Sequence, residues 1–268
     1  MKSLILLIGL LAGCGQQSSA VANRSANAAA PSEIRSEPAD PPAKAFSVSD
    51  ENDLYIFEYS WPAEASAVPQ LAARFRTDME KAKSELVANA REDRDARATE
   101  GFDFHPHPTQ RAYVSAGQTD RLLSLQSTIY AFTGGAHGST GSAALLWDPA
   151  IAREIAIPQL LAAGASWTGA IRQPFCLLLD RERETRRGEP VRKGDLFGEC
   201  PRYDELTVFL PDSDANRRID HVVVIADQYV AGPYAEGPYE IALPITATMI
   251  ERLKPEYRSS FEPRPPVR

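Results

Sequence analysis

Thr128-Ile129-Tyr130-Ala131-Phe132-Thr133-Gly134-Gly135-Ala136-His137-Gly138 is the stretch from which the rest of the chain can be read. It opens with β-branched and aromatic residues at close intervals, the composition of a strand, then breaks into a loop with three glycines in five positions. Adjacent glycines let a backbone take left-handed or mirror-β angles that other residues adopt only at a cost. His137 inside such a loop has its ring aimed by backbone geometry. Either the loop is a tight corner in which His137 hydrogen-bonds across its own turn, or it presents that ring and a row of N–H groups to a ligand.

Outward from this loop the pattern is of strands with a few helices. On the N-terminal side, residues 53–61 alternate, with Tyr55, Phe57, Tyr59 and Trp61 on one face, and Pro62 ends the strand. Leu71, Phe75, Met79, Ala82 and Leu86 then recur at helical spacing across 69–96, and the charged stretch 91–97, with Asp93, reads as that helix's solvated end. Residues 111–116 and 121–132 read as strands turned at 117–120. On the C-terminal side, 141–147 and 153–157 pair as a hairpin, 157–163 is a short helix, and 166–183 is a longer one interrupted by Pro174. The polar segment 182–204 reads as a solvated loop. Residues 206–210, 220–226 and 239–243 are strands, with His221 at a strand entry, and 246–253 is a closing helix. The expected class is α+β: mainly antiparallel sheet with a few packing helices.

Composition narrows the function. Of 268 residues, 43% are hydrophobic and 24% charged, ordinary for a protein with a real core. The formal net charge of −7 argues against nucleic acid, whose phosphates need a basic face, and leaves cationic partners favoured by faster encounter. Lys2 and the apolar run 4–11 form a signal segment, and Leu11-Ala12-Gly13-Cys14 resembles a bacterial lipobox, cut before a cysteine that then carries lipid. Residues 1–13 are therefore expected to be removed and Cys14 to be the anchor. Gly15 in place of an aspartate points to the outer membrane, with the folded part in the periplasm.

Residues 14–45 are Ser, Ala, Asn, Gln and Pro with almost nothing large and apolar, so a disordered tether is expected. Such a segment averages about 30 Å end to end and stretches to roughly 100 Å. Cys176 and Cys200 are the remaining pair, and in an oxidising compartment a disulfide is the simplest account. It would close a loop of roughly 25 residues and contribute on the order of 3 kcal/mol.

Two motifs together resemble a known family. The stretch 130–138 looks like the strand-plus-GGAHG signature of a paired domain of unknown function. Asp227-Gln228-Tyr229-Val230-Ala231-Gly232-Pro233-Tyr234-Ala235-Glu236-Gly237, followed by 239–244, is similar to the signature of that pair's second half. The pair forms the sensor ectodomain of RsiV-like anti-sigma factors, which bind lysozyme, and precedes the catalytic domain of PdaC-like peptidoglycan deacetylases. The resemblance spans residues 47–253 and implies halves at 46–165 and 166–254, with a flexible proline-rich tail at 255–268. No spanning helix and no metal-binding catalytic domain accompany it here, so it implies a fold and a binding surface, not signalling or deacetylation.

Candidate ligand-binding residues are Thr133, Gly134, Gly135, His137 and Gly138 in the first loop, with Tyr229 and Tyr234 in the second. Aromatics in a Gly/Pro-rich loop suit an exposed surface, and equally suit packing against a sheet edge. Asp103, His105 and His107 alternate as metal ligands on a strand would, but prolines between them favour a plain loop, and neither metal nor cofactor is expected. Ser139, two residues after His137, lacks a nucleophile elbow, so no catalytic residue is assigned. The function taken forward is a non-catalytic envelope lipoprotein that binds a cell-wall component or a lysozyme-like protein. A peptidoglycan hydrolase using His137 and an envelope scaffold are the alternatives.

Overall fold

A computed structural model of the chain describes residues 42–265. The signal segment 1–13, the lipidation site Cys14, most of the expected tether and the last three residues lie outside this range. Residues 42–45 carry no regular structure and are exposed.

The aromatic alternation settles the first sheet. β1 (Phe46–Glu51) and β2 (Tyr55–Trp61) form an antiparallel pair. Tyr55, Phe57, Tyr59 and Trp61 all point to one face and are buried there. After a single turn, α1 (Ala63–Ser66), the chain enters α2 (Pro69–Glu100), a helix of 32 residues that ends on Gly101 in the left-handed conformation. Its length, about 48 Å at 1.5 Å per residue, carries the chain back along the sheet. β3 (His107–Gln118) therefore joins β2 in parallel, a pairing not expected in a mainly antiparallel fold. β4 (Leu123–Ala131), β5 (Ser139–Asp148) and the two-residue β6 (Arg153–Glu154) complete a six-stranded sheet in sequence order, with every other pairing antiparallel. Leu71, Phe75 and Leu86 of α2 bury against the aromatic face of β2 together with Leu125, Leu145 and Trp147. At about 1.5–3 kcal/mol for each large apolar side chain removed from water, this layer is a major part of the stability.

The second sheet is antiparallel: β7 (Thr207–Phe209), β8 (His221–Ala226) and β9 (Tyr239–Pro244) in sequence order. It packs with α3 (Thr168–Arg187), the 3-10 turn Ile157–Leu160 and α4 (Ala247–Glu251) around a core of Trp167, Ile171, Phe175, Val222, Val224 and Ile241. β5 serves both cores. Its alternation sends Leu145 and Trp147 to the α2 side and Leu146 to the second sheet. Residues 42–265 thus form one unit, and Leu122, Leu146, Leu160 and Leu161 from before residue 165 belong to the second core.

Three expectations are corrected. The helix from 166 does not stop at 183: it runs to Arg187, and Arg183, placed in a solvated loop by its polar neighbours, is fully buried. The proline-rich tail is not loose over its described length. Pro255–Ser260 is a 3-10 turn, Tyr257, Ser260 and Phe261 are buried, and the Tyr257 hydroxyl donates to Asp148 at 2.8 Å. The end of α2 is not merely solvated: Asp93 accepts from Arg97 at 2.7 Å and from Nε2 of buried His107 at 3.0 Å. Cys176 on α3 is bonded to Cys200, with Cα atoms 5.6 Å apart, as the sequence led us to expect.

Candidate functional site

The GGAHG loop connects β4 to β5, whose last pair is Ala131 with Ser139. Gly134 and Gly135 take φ of +93° and +103° and turn the chain sharply. The φ of Gly134 is what calls for glycine there; a Cβ would also lie 2.5 Å from the Arg97 guanidinium, a flexible end that can move aside. Gly138 is fixed by packing, since a Cβ on it would lie 2.4 Å from the ring of Tyr130. Backbone permissiveness and close approach together present His137 outward.

The second loop is drawn to the first by one carboxylate. Asp227, just after β8, accepts from the Ser142 N–H at 2.9 Å and from its hydroxyl at 2.7 Å, tying the loop to β5. A turn follows, closed by the Val230 N–H donating to the Asp227 carbonyl at 3.0 Å, with Tyr229 at φ +67°. A non-glycine residue in that region carries strain of order 1 kcal/mol and persists where its surroundings hold it.

Three rings thereby meet. His137 stacks on Tyr234 with centroids 3.8 Å apart, and Tyr229 lies 6.0 Å from Tyr234. Nδ1 of His137 is 2.9 Å from the Gly138 carbonyl, which can only accept, so Nδ1 carries the hydrogen. In the neutral ring Nε2 then accepts from the Tyr229 hydroxyl at 3.1 Å. His137 and Tyr229 are exposed and Tyr234 is half-buried. His137 therefore bonds within its own loop and also reaches the second loop. Thr133 and Gly135 are exposed on the outside of the turn, and no hydrogen bond among the described residues brings Thr133 to the rings. Gly138 acts as a spacer against Tyr130, and Gly134 supplies a positive-φ turn.

Behind the rings lies a support the sequence reading missed. Arg183 donates from Nε to the Ala231 carbonyl at 2.8 Å, and through its other nitrogens to Asp180 and the Glu199 carbonyl, each at 3.1 Å. Burial lowers its pKa against the pull of Asp180. Arg187 grips the Glu236 carboxylate at 2.9 and 3.0 Å, and Arg186 lies 4.0 Å over the ring of Tyr239. Burial works to raise the Glu236 pKa, but Arg187 and the Tyr239 hydroxyl outweigh it and hold it low. Burial and the same carboxylate push Tyr239 up to about 12. The 3-10 turn Tyr234–Glu236 is thus clamped to α3. The signal for this was present: Ile171, Phe175, Leu179 and Arg183 are one buried stripe at helical spacing, with an arginine in an apolar register.

Other expected groups go elsewhere. His107, at the start of β3, turns to Asp93 and packs on Phe104 at 5.4 Å, while Asp103 and His105 are exposed. His221 opens β8 and bonds Asp220 at 2.8 Å. Asp214, Asp220 and Glu262 come together among the described residues, but the Arg264 guanidinium bonds all three carboxylates, making an ion-pair network.

With this geometry in place the comparisons can be read. Residues 48–140, from β1 through the GGAHG loop, match the family described as Deacetylase PdaC. This portion of the chain is similar to that family over the first of the two motifs on which the resemblance rested. No curated protein matches the sequence. Two solved structures are similar in fold. One is a DUF3298 family member from Bacteroides fragilis, 14% identical, covering 79% of this chain and 93% of its own, with a TM-score of 0.46. The other is a DUF3298 family protein from Pseudomonas aeruginosa, 15% identical, covering 84% of this chain and 99% of its own, with a TM-score of 0.47.

Proposed function

We propose that this chain is a non-catalytic binding module of the cell envelope, holding a cell-wall component or a lysozyme-like protein at the ring cluster of His137, Tyr229 and Tyr234. The observation that carries this reading is the convergence of these rings, from loops 92 positions apart, with His137 and Tyr229 left exposed. Rigid aromatic surface that costs little side-chain entropy to present suits recognition. Both ring nitrogens of His137 are engaged by a carbonyl and a phenol and neither by a carboxylate, which favours holding over general acid–base work. The proposed setting is the periplasmic face of the outer membrane, reached through a lipid on Cys14; Lys2, the apolar run 4–11 and Leu11-Ala12-Gly13-Cys14 support it.

The test is capture of lysozyme and of purified peptidoglycan by the full chain, comparing wild type with Tyr234→Ala and His137→Ala. We expect one of the two materials to be retained by wild type and lost in both variants. Retention of neither, or retention unchanged in Tyr234→Ala, would sink the proposal, as would release of glycan fragments from peptidoglycan by the protein alone.

A further inference from the structure

The six-stranded sheet has two faces: α2 packs on one, and the second sheet covers the β4–β5 end of the other, where Leu146 is buried and Thr207 bonds the Ser142 carbonyl. On the other, register aligns side chains in rows that run across five strands. Ser49, Glu58, Gln110, Tyr130 and Thr140 form one row from β1 to β5. Ser47, Ser60, Ala112, Thr128 and Ser142 form the next. None of these residues is buried. At 4.7–4.9 Å between strands, each row is about 19 Å long.

A solvated sheet face is ordinary; its chemistry here is not. In a chain with 24% charged residues, the two rows hold one carboxylate, Glu58, and no cation. The rest are hydroxyls, of which the Ser142 hydroxyl is already given to Asp227, with an amide, a methyl and one tyrosine ring. Such a face offers little to a cationic protein, and a polyanion would meet Glu58 and a net charge of −7. Short neutral donors and acceptors with an aromatic ring among them complement an uncharged polyhydroxylic chain.

Both rows also lead to the ring cluster. Tyr130 packs against Gly138, the neighbour of His137, and Ser142 holds the Asp227 carboxylate that anchors the Tyr229 turn. We propose that a neutral, unbranched glycan lies across β1–β5 on this face, with one end at His137, Tyr229 and Tyr234. This inference rests on the binding reading above and names the ligand class.

Calorimetry of the full chain with chitobiose and chitohexaose, neutral N-acetylglucosamine oligomers, tests it. If the rows add even a few net hydrogen bonds, the hexamer binds about tenfold tighter than the dimer or better. Thr128→Lys should remove that advantage while leaving chitobiose affinity and melting temperature unchanged; Ala112→Glu gives the same readout should the lysine disturb folding. Equal affinity for both lengths, or an advantage that survives both substitutions, overturns the inference. Capture of lysozyme through Tyr234 with no oligosaccharide bound overturns the inference but keeps the binding reading. If Tyr234→Ala changes no capture at all, both fall.

Discussion

The hydroxyl of Tyr229 lies 3.1 Å from Nε2 of His137, although the two residues are 92 positions apart. This bond joins a loop of the first sheet to a loop of the second, while the Gly138 carbonyl, which can only accept, holds a hydrogen on Nδ1. Tyr229→Phe removes the donor and keeps the ring. An exposed hydrogen bond is worth roughly 0.5–1.5 kcal/mol, so the variant should lose no more than that in denaturant unfolding. Its imidazole nitrogen spectrum, however, should lose the hydrogen-bonded Nε2 signature. An unchanged Nε2 resonance would show that the two side chains do not meet in solution.

Gly138 and Tyr130 make a sharper case. A Cβ on Gly138 would overlap the Tyr130 ring at 2.4 Å, whereas one on Gly135 meets nothing within 4 Å and is opposed only by its φ of +103°. Gly138→Ala should therefore cost about 1–3 kcal/mol as overpacking, and Gly135→Ala a cost that is backbone strain alone. The origins separate in a double-mutant cycle. In a Tyr130→Ala background the Gly138→Ala penalty should shrink by roughly 1 kcal/mol or more, and the Gly135→Ala penalty should not move. Additive behaviour at Gly138 would mean that the ring is not the obstacle.

These two loops also mark how far the sequence could be read. The period-2 run through Tyr55, Phe57, Tyr59 and Trp61, and the helical spacing of Leu71, Phe75 and Leu86, are local signals, and both elements are present. The parallel pairing of β2 with β3 is not local: it follows from a helix long enough to return the chain, which residue patterns do not announce. The tail was misread because prolines dominate its composition, while its structural content sits in Tyr257 and Phe261, whose partners Asp148 and Trp167 lie a hundred or so residues away. For the site, the glycine-rich loops marked where rings could be presented. That His137 would stack on Tyr234 depended on Asp227 bonding Ser142, a cross-sheet contact with no signature in spacing.

Arg183 is the residue on which the second loop leans. It is fully buried, and its three hydrogen bonds go to α3 itself, to the Ala231 carbonyl beside the Tyr229 turn, and to the Glu199 carbonyl beside the Cys200 disulfide. Arg183→Met keeps much of the volume but leaves the Glu199 carbonyl without this donor, while the Ala231 carbonyl keeps Arg187 at 3.2 Å and Asp180 keeps Lys193 at 3.4 Å. A buried acceptor left unpaired costs about 1–3 kcal/mol, which is the loss expected for this variant. Arg183→Lys should recover only part of it, since a point charge cannot reach three acceptors in the plane of a guanidinium. Both predictions are read from denaturant midpoints. Near-wild-type stability for the methionine variant would show that the arginine is dispensable to the loop.

Asp220 gives the fold an acid limit. Burial alone would raise its pKa, but hydrogen bonds from Ser213, His221 and Arg264 outweigh it and bring the value down to about 2. An unfolded aspartate titrates near 3.9, so the native carboxyl releases its proton more readily than the unfolded one. The stability it contributes is therefore complete above about pH 4 and is lost as the pH falls towards 2; a depression of this size is worth on the order of 2–3 kcal/mol. Asp50, Asp93, Asp204, Asp214 and Glu236 are also lowered, so the wild-type acid limb is a sum. Subtracting the Asp220→Asn curve isolates one group: the variant should be less stable at pH 7, and the gap should narrow between about pH 4 and pH 2. A gap that stays constant across that window would mean the carboxylate charge is not what Ser213, His221 and Arg264 stabilise.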